Sequence, residues 1–311
     1  MAYRFKLSET LEDGVCRIGL QQLDRALTQL ADGSAHNVAV HASRKTLKRV
    51  RALLRLVRPG LSSSVYTTEN TRYRDIGRLL SASRDRQVLV ETAARLEAQT
   101  SGRTRAALAA VNKRFVGTIL TTDAEAEAQT IAKARDDLGV GRAVFAKLDI
   151  KTNGTEGGYA VAWAGLARSY AQGLRAMEHA YETGAAEAYH DWRKRVQHHW
   201  RHMSLFAPAW PEMFEARIAT ARQLSALLGE DHDLVMLVLA LSPEGGVEAT
   251  PNQVRLIAAF VETRQNAIRA EARVLGRRLY CESPTAFADT VRLYWATATA
   301  TIDAVDELSS P

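Results

Sequence analysis

From Thr10 onward, apolar and polar positions recur with a period near 3.6, carried by Ala, Leu, Arg and Glu, while alternating β-branched runs are rare. The pattern predicts helices over Thr10–Asp32, His36–Val57, Tyr66–Ser81, Arg84–Gln99, Thr104–Thr118 and Asp123–Leu138. It predicts six more over Gly158–Glu182, Glu187–Leu205, Met213–Leu228, Asp231–Ser242, Pro251–Tyr280 and Pro284–Leu308. Pro59 and Gly60 interrupt the pattern after the second helix, and Pro208 and Pro211 interrupt it after the eighth. Strand character is confined to Arg142–Asp149, and the Gly-rich KTNGTEGG that follows reads as a linker between halves 1–150 and 151–311.

The halves repeat each other. HASRKTLKRVRALLRLV from His41 aligns with HDWRKRVQHHWRHMSLF from His190, keeping the His, the Arg-Lys pair and the apolar positions in register. LLSASRDRQVL from Leu79 aligns with LLGEDHDLVML from Leu227 at a spacing one residue shorter, and Arg74 aligns with Arg222. Repetition over half a chain points to a duplicated helical unit.

At about 100° per residue, His41, Arg44, Lys45, Lys48, Arg49, Arg51, Arg55 and Arg58 form one broad face, opposite Leu47, Val50, Leu53, Leu54 and Val57. No acid intervenes between Arg44 and Arg58. Like charges three or four residues apart cost about 0.2–0.5 kcal/mol each, with no carboxylate on this helix to offset them. A solvated face paired with carboxylates from other helices and a surface that holds a polyanion both fit this helix alone. The matching His190, Arg193, Lys194, His198 and Arg201 favour the second. Gln197 stands where the first half has Lys48, so the second face is weaker and is expected to gain charge as its histidines protonate near a reference pKa of about 6.5.

Arg74, Arg78, Arg84 and Arg222 extend the basic surface from neighbouring helices, and Asp85 and Asp233 fit capping or tethering better than attack on a substrate. His198 and His202 are four apart on a helix but lack a nearby cysteine or acidic third ligand, so no metal is expected. Neither a P-loop, a dinucleotide-binding glycine turn, an HExxH pair nor a GxSxG elbow occurs in the sequence.

Composition changes this picture little. The chain has 311 residues, 46% of them hydrophobic, with 41 Lys+Arg against 35 Asp+Glu for a net charge of +6. That is enough apolar material for a substantial core and only a mild overall bias toward anionic partners, so the local clustering carries the argument. Cys16 and Cys281 stand far apart and imply neither a disulfide framework nor a zinc site. Charge interrupts every apolar run before it reaches roughly 18 residues, so no membrane-spanning segment is expected and a cytoplasmic location fits.

Taken together, VHASRKTLKRVRALLRLV, YHDWRKRVQHHWRHMSLF, the SRD and HDL segments and the opening YRFKLSETLEDGVCRIGLQQLDRAL resemble the CHAD proteins, named for a conserved histidine α-helical domain. The resemblance spans essentially the whole chain. It implies an all-α fold of two antiparallel four-helix bundles related by an internal pseudo-twofold, around a basic central groove or pore that binds inorganic polyphosphate.

Carried onto this chain, the implied binding positions are His41, Arg44, Lys48, Arg49, Arg51 and Arg55, with Lys45 beside them and Arg74, Arg78 and Arg84 in support. The second half supplies His190, Arg193, Lys194, His198 and Arg201, supported by Arg222; Gln197 and His232 depart from the more uniformly basic pattern. Some relatives carry a triphosphate-hydrolysing CYTH domain ahead of this one, but its ExExK signature is missing here, so a stand-alone member is expected. The function expected is non-catalytic polyphosphate binding without a cofactor, with association to polyphosphate granules. Nonspecific single-stranded nucleic-acid binding and metal-assisted polyphosphate hydrolysis are the alternatives.

Overall fold

The structure, a computed structural model, describes residues 3–31, 36–119, 124–152 and 158–309, except the side chains at 36–37, 82–86, 118–119, 124 and 302–309. Among these the first half contributes α1 (Leu11–Ala31), α2 (His36–Leu56), α3 (Ser63–Leu79), α4 (Ala82–Ala98), α5 (Gly102–Ile119) and α6 (Ala124–Phe145). The second contributes α7 (Ala160–Thr183), α8 (Ala186–Phe206), α9 (Pro211–Ala240), α10 (Pro251–Leu279) and α11 (Pro284–Ser309). Local chemistry sets several starts. The Ser62 hydroxyl accepts from the Val65 amide at α3, Thr250 and Gln253 form a capping box at α10, and Pro211, Pro251 and Pro284 each open a helix.

The fold is all-α. Helices α1, α2, α3 and α6 pack in a ring, and α7, α8, α9 and α10 follow one another as neighbours with α11 against α7. Helix α2 also packs on α7 and α8, and this junction brings the two basic helices together. The approach of α7 depends on Gly165, because a Cβ there would stand 1.7 Å from the Leu56 carbonyl oxygen.

Two apolar cores result, and both draw on both halves. The larger joins Val15 and Ile18 of α1, Leu53 and Leu54 of α2, Leu166 of α7 and Trp192 and Phe206 of α8. The smaller joins Leu96 of α4 and Leu108 and Val111 of α5 to Leu234 and Leu237 of α9 and Ile257 of α10. The α4–α5 hairpin thus lies against the far ends of α9 and α10.

Two expectations are corrected. Arg142–Asp149 is not a strand: α6 continues to Phe145, which is buried at 1% exposure, and no strand occurs among the described residues. Val144 and Phe145 there join the helix, a tertiary override of a weak local preference. The separate helices expected over Met213–Leu228 and Asp231–Ser242 are one helix, α9. Gly229 stays helical and leaves room for the Arg193 guanidinium, 2.9 Å from where its Cβ would be. Asp231, buried, is held by Arg269 Nε at 2.7 Å. The first half does break at the matching place, between α3 and α4. No helix among the described residues is long and apolar enough to cross a membrane.

Candidate functional site

Helix α2 buries Leu47, Val50, Leu53 and Leu54, and that packing leaves its arginines flanking the line where α8 crosses it. At the crossing, His202 Nε2 lies 2.8 Å from the Ala52 carbonyl oxygen. A carbonyl only accepts, so Nε2 carries the proton and Nδ1, buried with no partner among the described residues, is a bare lone pair. Around the α2 axis Arg49 lies more than about 100° from Arg51 and Arg55, with Ala52 between, so the crossing divides the basic face into two ends.

The first end gathers Arg51 and Arg55 from α2, Arg74 and Arg78 from α3 and His198 from α8. Arg58, Arg168 and Arg195 also act on Arg55. Arg51 Nε donates to Asn70 Oδ1 at 3.2 Å, and the Arg58 guanidinium sits 4.5 Å from the Tyr66 ring centre. Burial, then the neighbouring arginines, push the Arg51 guanidinium down to about 10, and burial lowers Arg55 in the same way. An acid enters this end: Asp75 pairs with Arg74 at 2.8 Å and lies 3.8 Å from Arg78. The Arg74 hydrogen bond holds its carboxyl below the usual range.

The second end gathers Arg49, Arg201 and Arg222, with Arg25 acting on Arg49. Arg201 is only 4% exposed, and burial pushes it down to about 10. Aromatic rings line this end. The guanidiniums of Arg201 and Arg222 stand 4.2 and 5.0 Å from the Trp200 ring centre, and that of Arg49 stands 5.5 Å from Tyr3. Arg49 NH1 also donates to Gln22 Oε1 at 3.3 Å. On both ends a guanidinium edge is left over: Nε of Arg49, Arg55 and Arg201 is buried without an acceptor among the described residues. His198 and His202 lie between the ends, each feeling Arg55 from one side and Arg201 from the other.

Farther along α8, the His190 and His232 rings stack with centres 4.0 Å apart, next to Arg193 and Lys194. Lys194 Nζ donates to Asp191 at 2.7 Å. The expectation that second-half histidines charge near 6.5 fails here. Burial and the surrounding cations push His190 and His202 down to about 4 and His198 well below 6.5, and burial also lowers His232. His190 and His202 therefore stay neutral at pH 6. His199 faces the core between Tyr170, Tyr280 and Phe287.

Of the other positions expected, His41, Lys45 and Lys48 are exposed and Arg44 half-buried on the first turns of α2. The side chains of Arg84 and Asp85 lie outside the described residues. Sequence reasoning missed Arg25, Arg168, Arg195 and the aromatic pair Tyr3 and Trp200. Arg195 sits on the right helix but off the repeated face, and Arg168 has no counterpart in the repeat. Tethering falls to Asp231, which pairs with Arg269 and accepts from Gln265 at 3.2 Å. Among the described residues no three His, Cys, Asp or Glu side chains converge as metal ligands would.

No curated protein matches the chain. The family model described as CHAD domain matches residues 17–242, from the middle of α1 to just beyond the end of α9. That stretch contains both basic helices and both ends of the arginine surface, and the chain belongs to the CHAD domain family.

Proposed function

We propose that this protein binds inorganic polyphosphate without cleaving it, through the arginines on either side of the α2–α8 crossing. The family is associated with polyphosphate, and the observation that carries the reading here is the leftover Nε edge of Arg49, Arg55 and Arg201. Each is a desolvated donor among like charges, disfavoured until an anion arrives. A polyphosphate chain presents a negative oxygen on every unit, and guanidinium donates to such oxygens in a fixed fork, so binding relieves desolvation and repulsion together. His202 stays neutral and gives its one N–H to the Ala52 carbonyl, so the phosphate contacts fall to the arginines.

Binding without turnover fits the neighbouring acids, which are engaged in holding cations: Asp75 by Arg74, Asp191 by Lys194 and Asp231 by Arg269. Phosphoryl transfer needs carboxylates disposed around metal ions or a nucleophile with its base. In the cell, such a surface would place the protein on polyphosphate granules in the cytoplasm.

The test is titration with polyphosphates of defined length, tripolyphosphate, orthophosphate and single-stranded RNA at several salt concentrations. Affinity is expected to rise with chain length and fall steeply with salt, with no phosphate released. Combined Arg51→Ala and Arg55→Ala changes should weaken binding roughly tenfold or more and flatten the log–log salt slope by about 1.4, at unchanged helicity. Equal affinity for RNA at matched salt, or binding unaffected by both changes, would reject the proposal.

A further inference from the structure

The arginines around the crossing differ in access. Arg78 and Arg222 are exposed and Arg49, Arg51, Arg55 and Arg74 half-buried, whereas Arg201 is 4% exposed. The N-terminal segment passes beside Arg201 and Arg49. The Phe5 amide donates to the Leu205 carbonyl at 2.9 Å, one turn beyond Arg201 on α8. The Tyr3 hydroxyl donates to the Arg49 carbonyl on α2 at 2.9 Å, and its buried ring lies 5.5 Å from the Arg49 guanidinium. Residues 3–5 therefore run from α8 to α2 across the second end.

Their anchoring is uneven. Phe5 is 1% exposed and sits among Tyr159, Phe206 and Trp295, with ring centres 5.7, 5.5 and 6.3 Å away. Arg17 ties the following chain by donating to Glu9 Oε2 at 2.9 Å and to the Arg4 carbonyl at 3.1 Å. Tyr3, at 9% exposure on the edge of the larger core, adds its phenol hydrogen bond and its contact with Arg49, both on the helix that carries the ligand-seeking guanidiniums.

We propose that residues 3–5 are a strap that closes the Arg49–Arg201 end, so that an anionic chain engages the Arg51–Arg55–Arg74–Arg78 end first and reaches Arg49 and Arg201 when Tyr3 lifts. The ligand part of this inference rests on the polyphosphate reading above. A phosphate bound at Arg49 and Arg201 makes charge-assisted hydrogen bonds that outweigh a ring contact, so the polymer has differential affinity for the lifted state. A short chain fits the open end alone, and a long one spans both. Only the long chain has to displace Tyr3, so Tyr3 lowers the site's length discrimination.

The test uses the full chain with Tyr3→Ala and, keeping the ring but not its hydrogen bond, Tyr3→Phe. Phe5 stays in place in both, so circular dichroism should match the wild type; Tyr3→Ala should melt lower because it empties a buried position, and it is compared at a temperature where both proteins are folded. The first readout needs no ligand: phenylglyoxal labelling of Arg49 and Arg201, followed by peptide mass spectrometry, should rise several-fold in Tyr3→Ala. The second compares affinities for long-chain polyphosphate and tripolyphosphate. Tyr3→Ala should bind the long chain roughly tenfold more tightly, with an unchanged salt slope because the bound wild type reaches the same two arginines, and bind tripolyphosphate as the wild type does. Tyr3→Phe should fall between.

Unchanged labelling overturns the strap, and so does raised labelling without tighter long-chain binding in a protein whose wild type binds polyphosphate. A wild type that binds no polyphosphate overturns the reading of the ligand and the length discrimination with it, while the labelling alone still decides whether Tyr3 covers the arginines.

Discussion

Mild acid should destabilise this protein through its buried histidines, and His202 gives the size of the effect. Its side chain is 0% exposed at the α2–α8 crossing, and its folded-state pKa is pushed down to about 4, first by burial. In the unfolded chain the same ring titrates near 6.5. A folded pKa below the unfolded one means the contribution is present above about pH 6.5 and is lost as pH falls toward 4, because the unfolded chain takes up a proton that the folded protein refuses.

Between pH 7 and 5 that single ring removes about 2 kcal/mol of stability. His198 and His199, both pushed well below 6.5 by burial, act in the same direction. His190 adds less, since it is only half-buried and solvent screens it. Most carboxylates titrate below this window, so the slope over pH 7–5 reports histidines. Urea denaturation followed by circular dichroism at pH 7, 6 and 5 measures it. His202→Gln keeps an amide donor for the Ala52 carbonyl but does not titrate, so its loss over the same window should be smaller by about 2 kcal/mol. Parallel wild-type and variant curves, or an imidazole resonance of His202 that titrates near 6.5 in the folded protein, would refute the reasoning.

Two further outcomes follow from the packing. Gly165→Ala, which forces a methyl against the Leu56 carbonyl, should cost about 3 kcal/mol or more in urea denaturation. Gly139→Ala on the same assay, at a helical site with nothing within 4 Å of the added Cβ, should stabilise by about 0.5–1 kcal/mol. Asp231→Ala should cost about 3 kcal/mol by stranding the Arg269 guanidinium, which also lies 4.1 Å from the Tyr189 ring centre, and Asp231→Ala with Arg269→Met should recover part of it.

The all-α fold and the α2 face were legible because helical period and charge lie along the sequence itself. What failed depended on packing across the chain. Gly229 looked like a break because its neighbour is Arg193 on another helix, and the Arg142–Asp149 strand was judged from residue types without the core that Phe145 fills. The histidines of α8 looked titratable because sequence carries their reference pKa but not their burial. Tyr3 and Trp200 carry no repeat signal, and their contacts with Arg49, Arg201 and Arg222 exist only after folding.

The smaller core has a consequence for how the chain is made. Leu96, Leu108 and Val111 emerge from the ribosome well before Leu234, Leu237 and Ile257, the residues that cover them. Synthesis at about 5–20 residues per second leaves the apolar side of the α4–α5 hairpin bare for many seconds. During that interval the nascent chain is a substrate for chaperones, and it becomes self-sufficient only when α10 closes over the hairpin.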